Sequence, residues 1–128
     1  MNRLPLAALT SFVHQVRGAT GRPVATAEPW HIWTGPEGSN LAAAVDLLLV
    51  HVHPYWEGVP ATSAAAYVAQ RWSEVVRLHP HKPVWIGETG WPDAGPANGA
   101  AVPGAAEQRI VLNSWTALAR ELGIRWFV

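Results

Sequence analysis

The chain contains no cysteine, so neither a disulfide framework nor a thiolate metal site is available to it. The same absence leaves the redox compartment open. Charge is scarce as well: charged residues make up 14% of the 128, and nine basic side chains balance nine acidic ones. Such a chain offers neither the basic surface that nucleic acid requires nor a cationic face for an anionic membrane. No apolar run approaches the ~18 residues of a membrane span. The stretch MNRLPLAALTSFVHQVRG is broken by Pro5, His14, Gln15 and Arg17, so it has no apolar core of signal-peptide length. Tandem repeats, linkers and low-complexity segments are lacking too, which keeps the count at one domain at most.

What the chain has in plenty is tryptophan, eight against two phenylalanines. Aromatic faces serve as platforms for sugars, and they equally fill cores and helix–sheet layers. Hydrophobic residues reach 49%, enough for a sizeable core.

Along the chain, helical and strand patterns alternate. Leu6, Leu9, Val13 and Val16 recur at helical spacing, with Pro5 at an early helical position and Gly18 placed to end the element. Pro23 to Ala27 reads as a short strand that puts Val24, Thr26 and Glu28 on one side. EPWHIWTGPEGSN, Glu28 to Asn40, is a loop by composition, about twice the usual length of a strand-to-helix link. Long loops of this kind carry function more often than stability. Leu41 to Ala44 forms a short helix and Leu47 to Val52 a buried strand, with Asp46 at its start in a structural role. Thr62 or Ser63 caps a helix reaching about Leu78, whose inner stripe is Ala64, Val68, Trp72 and Val75. After the strand at Val84 come a helix from about Ala105 to Leu122, closed by Gly123, and a last strand, Ile124 to Val128. Repeated alternation of this kind defines an α/β fold with parallel strands and flanking helices.

One stretch, KPVWIGETGWPDAG (Lys82 to Gly95), carries a lone carboxylate at a strand end. Val84 and Ile86 alternate with Trp85 and Gly87, so strict alternation puts Glu88 on the side of Val84 and Ile86. The carboxyl end of a buried parallel strand is where α/β folds keep their active sites. A Glu there also serves to cap a turn or to pair with an arginine. Trp91 and Pro92 add a rigid, aromatic-edged turn beside the acid.

GETGWP, preceded by KPVWI and followed by DAG, resembles the nucleophile motif of glycoside hydrolase family 17, the β-1,3-glucanases and related transglycosylases. RPVATAEPWHIW, AAAVDLLLVHVHPYWEG and EQRIVLNSWTALARELGIRWFV resemble the bacterial branch of that family in the same order. The fold this implies for residues 1–128 is the C-terminal half, about strands 5 to 8, of a (β/α)8 TIM barrel, the N-terminal half lying before Met1. The length agrees with that, at about half the ~250 residues of a complete barrel.

The resemblance makes Glu88 the nucleophile and β-glucan, polymeric or oligomeric, the partner, with no cofactor and no metal. The family's acid/base sits in a Gly-Asn-Glu motif, and no such motif occurs in this sequence. Glu28 is expected to shape a subsite or to hydrogen-bond a sugar hydroxyl. His53 and Tyr55 are expected to hold the nucleophile or the sugar in place. Glu57 contacts sugar or stabilises its loop, and Trp30, Trp33, Trp56 and Trp91 divide between facing the ligand and packing the rim. Two other readings stay open. His51 and His53, as H-x-H at a strand end near Glu28 and Glu88, suit the zinc of a barrel metallohydrolase. A non-catalytic half-barrel would instead bind β-glucan, or assemble with a separate N-terminal half or with itself through open sheet edges.

Overall fold

The computed structural model describes residues 4–127; Val128, the end of the expected last strand, lies outside the described residues. The first helix, α1 (Leu6–Thr20), runs through Gly18 and stops at Gly21, which adopts φ 63° and donates its N–H to the Arg17 carbonyl at 2.8 Å. That left-handed turn is open to glycine at little cost, so Gly21 and not Gly18 ends the element. Strand β1 (Ala25–Pro29) starts two residues later than the sequence pattern suggests. Pro23 has no N–H to give, and Val24 donates its own to the Asp46 carboxylate at 2.8 Å, so the ladder begins at Ala25. Asp46 also accepts from Arg17 at 2.7 Å, fastening α1 to the foot of β2. The Val24 amide first, and then Arg17, hold its carboxyl below the usual aspartate range.

The expected long loop contains two short helices, α2 (Trp30–Trp33) and α3 (Gly38–Ala44). Trp33 and Leu41 are fully buried, and that tertiary packing outweighs a glycine- and proline-rich composition. Strand β2 (Leu47–His51), helix α4 (Ala61–Leu78), strand β3 (Val84–Glu88) and helix α5 (Ala105–Leu122) follow. Neither Thr62 nor Ser63 is the cap of α4. Pro60 occupies that position, with its φ already near the helical value, and no side chain caps the helix.

The sheet has the order β1-β2-β3 with both pairings parallel. The expected fourth strand is reduced to one parallel bridge between Ile86 and Trp126. Ile86 N–H donates to Arg125 and Phe127 N–H donates to Ile86, at 2.9 and 3.3 Å. Leu48, Val50, Val84 and Ile86 point from the sheet into the helices, where Trp33, Leu41, Val68, Val75, Trp115 and Ala119 complete the core. Burying each large aliphatic side chain there stabilises the fold by about 1.5–3 kcal/mol. Trp72 lies at the core's edge and donates its indole N–H to the Val84 carbonyl at 3.0 Å. The opposite face of the sheet carries exposed Ala25 and Ala27 and half-buried Leu49 and Trp85.

The pairing of β2 with β3 overturns the alternation expected for Glu88. Leu48 pairs with Val84 and Val50 with Ile86, but the register then slips and His51 pairs with Glu88. Gly87 is the extra residue of this β-bulge. A bulge re-aims the side chains beyond it. Glu88 therefore leaves the helix-facing side of Val84 and Ile86 and joins His51 on the opposite face.

Candidate active site

Glu88 ends β3 with its side chain 59% exposed, and His51 at the end of β2 and His53 just beyond it converge on it. Oε2 of Glu88 lies 3.4 Å from His51 Nδ1 and 3.4 Å from His53 Nε2. The rings of His51 and His53 stand 6.3 Å apart and close to perpendicular, at 74°. Past the bulge, the Val52 N–H donates to the Glu88 carbonyl at 2.9 Å, which fixes the end of β3 against β2.

Gly87 makes this approach possible. A Cβ there would meet the His51 ring and the Cβ of Leu49, each at 3.1 Å. His51 is the more buried of the two rings, and burial pushes its pKa below the usual imidazole value. The Glu88 carboxylate pulls it up and His53 pushes it down again, both more weakly. The lowering favours the uncharged form of the ring.

Beside this trio, His53, Tyr55, Trp56, Thr89, Gly90, Trp91 and Pro92 line a pocket of about 240 Å3. Tyr55 and Trp91 are buried at 4% and 5% exposure and pack edge to face, so they form the pocket's wall. Their polar atoms are already used. The Tyr55 hydroxyl donates to the Pro96 carbonyl, and the Trp91 indole donates to Val102 at 3.0 Å. Trp56, at 72% exposure, is the lining aromatic that presents a face to solvent. Asn98 joins the two loops by donating to the carbonyls of Tyr55 and Trp56, at 2.8 and 3.0 Å.

Other expected site residues lie elsewhere. Trp33 is 1% exposed in the core and donates its indole N–H to the Leu49 carbonyl at 3.1 Å, so it has no face to offer a ligand. Four residues of α2 wound as helix turn it inward where a loop would have left it on the rim. Glu28 pairs in register with Val50, on the helix-facing side of the sheet. It lines a cavity of about 500 Å3 with Leu4, Pro5, Leu6, Leu9 and Ile32. It does not repeat the geometry of Glu88, because β1 has no bulge against β2 to turn it over.

Trp30 and Glu57 come together, indole N–H to carboxylate, at 3.2 Å. The Arg71 guanidinium covers the Trp30 ring at 4.7 Å and the Tyr67 ring at 5.1 Å, and pairs with Glu74 at 3.0 Å. Two residues of this region, Arg71 and Asn98, are not singled out by the sequence pattern, whereas H-x-H placed His51 and His53 beside Glu88, where both are found. Arg71 and Asn98 are drawn in by contacts 41 and 43 residues away in the chain, which no local pattern shows.

A strand-end carboxylate thus stands between two imidazoles, beside an aromatic pocket on a parallel α/β sheet. The sequence matches the BtgE/BtgC glycoside hydrolase domain over residues 4–128, and the chain belongs to this family, of the glycoside hydrolase family 17 type. A probable beta-glucosidase btgE of Neosartorya fischeri is 42% identical over 110 residues, covering 85% of this chain and 19% of that protein. The glucan 1,3-beta-glucosidase of Schizosaccharomyces pombe is 30% identical over 112 residues, 78% of this chain and 35% of its own length. The fold is similar to that of a glycoside hydrolase family 17 beta-1,3-glucanosyltransferase from Rhizomucor miehei, with a TM-score of 0.85 at 28% identity, covering 97% of this chain and 46% of the other. An active-site mutant of that enzyme in complex with laminaritriose superposes with a TM-score of 0.84. The chain thus spans about a fifth of the btgE relative and just under half of the solved enzyme.

Proposed function

We propose that this chain carries the nucleophile side of a β-1,3-glucan-processing active site, with Glu88 attacking the anomeric carbon in a retaining, double-displacement reaction. The observation that carries this reading is the bulge at Gly87, which turns Glu88 onto the strand-end rim against His51 and His53. An attacking carboxylate must be ionised, exposed to the sugar and held in one rotamer. Two imidazoles meeting one carboxylate oxygen restrain the side chain and leave its other oxygen for the substrate. Trp56 supplies an aromatic face at the adjoining pocket, and His53 is within reach of a sugar hydroxyl there.

Retention needs a second carboxyl group about 5–5.5 Å from the first, to protonate the leaving oxygen and later to activate the acceptor. The described residues give Glu88 no such partner in its immediate cluster, Glu28 lies on the other face, and Glu57 is engaged by Trp30. The general acid in this reading comes from a Gly-Asn-Glu segment outside these 128 residues, on the complementary half of a (β/α)8 barrel. Without it the chain forgoes about 10²–10⁴ in rate. Water or a sugar hydroxyl resolves the covalent intermediate. The solved glucanosyltransferase, 28% identical, supports transfer, and the glucan 1,3-beta-glucosidase relative supports hydrolysis.

A second reading follows from the sheet itself: β1 has a ladder partner on one side, among the described residues, so its other edge is open to pairing. In that reading the chain is a complementing or β-glucan-binding half-barrel, joining an N-terminal half or another copy. One experiment tests the catalytic reading. The chain, fused to or co-expressed with a family segment carrying Gly-Asn-Glu, should release sugar from a laminarin-type glucan, and Glu88→Gln should bring that release to background. Undiminished activity in the variant removes Glu88 from its role. An inactive assembly that still binds laminarin favours the half-barrel reading.

A further inference from the structure

We propose that His51, His53 and Glu88 form a binding site for a divalent d-block cation such as Zn2+, and that an ion held there withdraws the Glu88 carboxylate from chemistry, so that metal and glucan compete for one rim. The donor types are those zinc takes, two imidazole nitrogens and a carboxylate oxygen, leaving a position for water. The spacing agrees. Donors bound at 2.0–2.2 Å with tetrahedral angles stand about 3.3–3.6 Å apart. Both nitrogens lie 3.4 Å from Oε2 of Glu88, beyond the about 2.7–2.9 Å of a charge-assisted hydrogen bond. The trio is thus spaced like the ligands of an ion more than like a hydrogen-bonded dyad.

The three donor atoms all lie within 4.8 Å of one another. Closing the edge between the two rings then asks for a movement of at most about 1.5 Å. His53, 40% exposed against 18% for His51, is the ring free to make it. The backbone already aims all three donors to one side: H-x-H does so for the histidines, and the bulge adds Glu88. His53 also lines the aromatic pocket, so an ion held by the trio borders the space assigned to the sugar.

Metal binding stands on this geometry alone, and only the competition with glucan rests on Glu88 being the nucleophile. The test is calorimetric titration of ZnCl2 into the full chain after treatment with a chelator, with MgCl2 in parallel. One zinc per chain is expected, and magnesium, which keeps to oxygen ligands and water, should give no saturable heat. Removal of a direct ligand should exceed the 10–100-fold loss seen for outer partners. His53→Ala and Glu88→Gln, each shown folded by circular dichroism, should therefore weaken zinc more than about tenfold. No saturable zinc heat in the parent chain, or unchanged affinity in both variants, overturns the site. In the assembly that releases sugar from laminarin, zinc should inhibit and a chelator should restore activity. Zinc bound at the trio that leaves activity intact or raises it overturns the competition. If no assembly cleaves laminarin, the calorimetry still decides the metal site, so failure of the catalytic reading stays separate.

Discussion

Replacing Trp33 by alanine separates a core tryptophan from a sugar platform. Its side chain is 1% exposed, and a buried tryptophan removes roughly 150–250 Å2 from water. At about 25 cal/mol per Å2 that is about 4–6 kcal/mol, and its hydrogen bond to the Leu49 carbonyl adds about 1 kcal/mol. Neighbouring side chains relax into part of the space, and truncations of buried aromatic residues cost about 3–5 kcal/mol. A loss of that size is a large share of the about 5–15 kcal/mol that holds a domain together. Trp56, at 72% exposure, should by contrast change stability by no more than about 0.5 kcal/mol when truncated. Urea unfolding followed by circular dichroism measures both, with an unchanged slope showing that stability alone has moved. Should Trp33→Ala fail to fold, Trp33→Phe keeps most of the volume, loses the indole donor, and should cost about 1–2 kcal/mol. The reasoning is refuted if Trp33→Ala costs under about 1 kcal/mol, or if Trp56→Ala costs as much as Trp33→Ala.

Gly87→Ala should crowd the His51 ring, which a Cβ would meet at 3.1 Å, and lower stability by about 1–3 kcal/mol with a shift of the His51 resonances in NMR. Unperturbed His51 resonances would contradict the tight approach at the bulge. Arg71→Ala removes a cation from over two rings and should destabilise by about 1–2 kcal/mol; a double-mutant cycle with Trp30→Leu should show coupling of at least about 0.5 kcal/mol. Asp46 has its carboxyl lowered by the Val24 amide and Arg17, so its contribution is present above the unfolded aspartate pKa, about 3.9, and is lost as pH falls through the lower folded value. Thermal melts of Asp46→Asn should therefore lose less stability on acidification than the parent chain. Equal acid sensitivity in the two would show that this contact does not contribute.

Local chemistry was sufficient for much of the architecture. Helices α4 and α5 declare themselves by their apolar stripes, and α5 ends at Gly123 as the sequence pattern places it. The three strands announce themselves as short apolar runs. Where residues compete for one backbone feature, the pattern misleads: two glycines stand near the end of α1, and two hydroxyl residues stand beside Pro60 at the start of α4. The choice in each case rests on which position already has the required φ, which composition does not reveal.

For the site, the sequence alone determined that an acidic side chain ends a buried parallel strand, that two histidines end its neighbour, and that aromatic residues crowd the following turns. Only the tertiary structure decided which way that acid faces. Side-chain alternation is a property of one strand, whereas a bulge is a property of a pair, and the slip that sends Glu88 to His51 exists only where β2 and β3 hydrogen-bond. The tryptophans divide for a similar reason. Whether an indole ends up as a wall, a core or an open face depends on what the rest of the chain packs against it, and Trp33, Trp91 and Trp56 took one fate each.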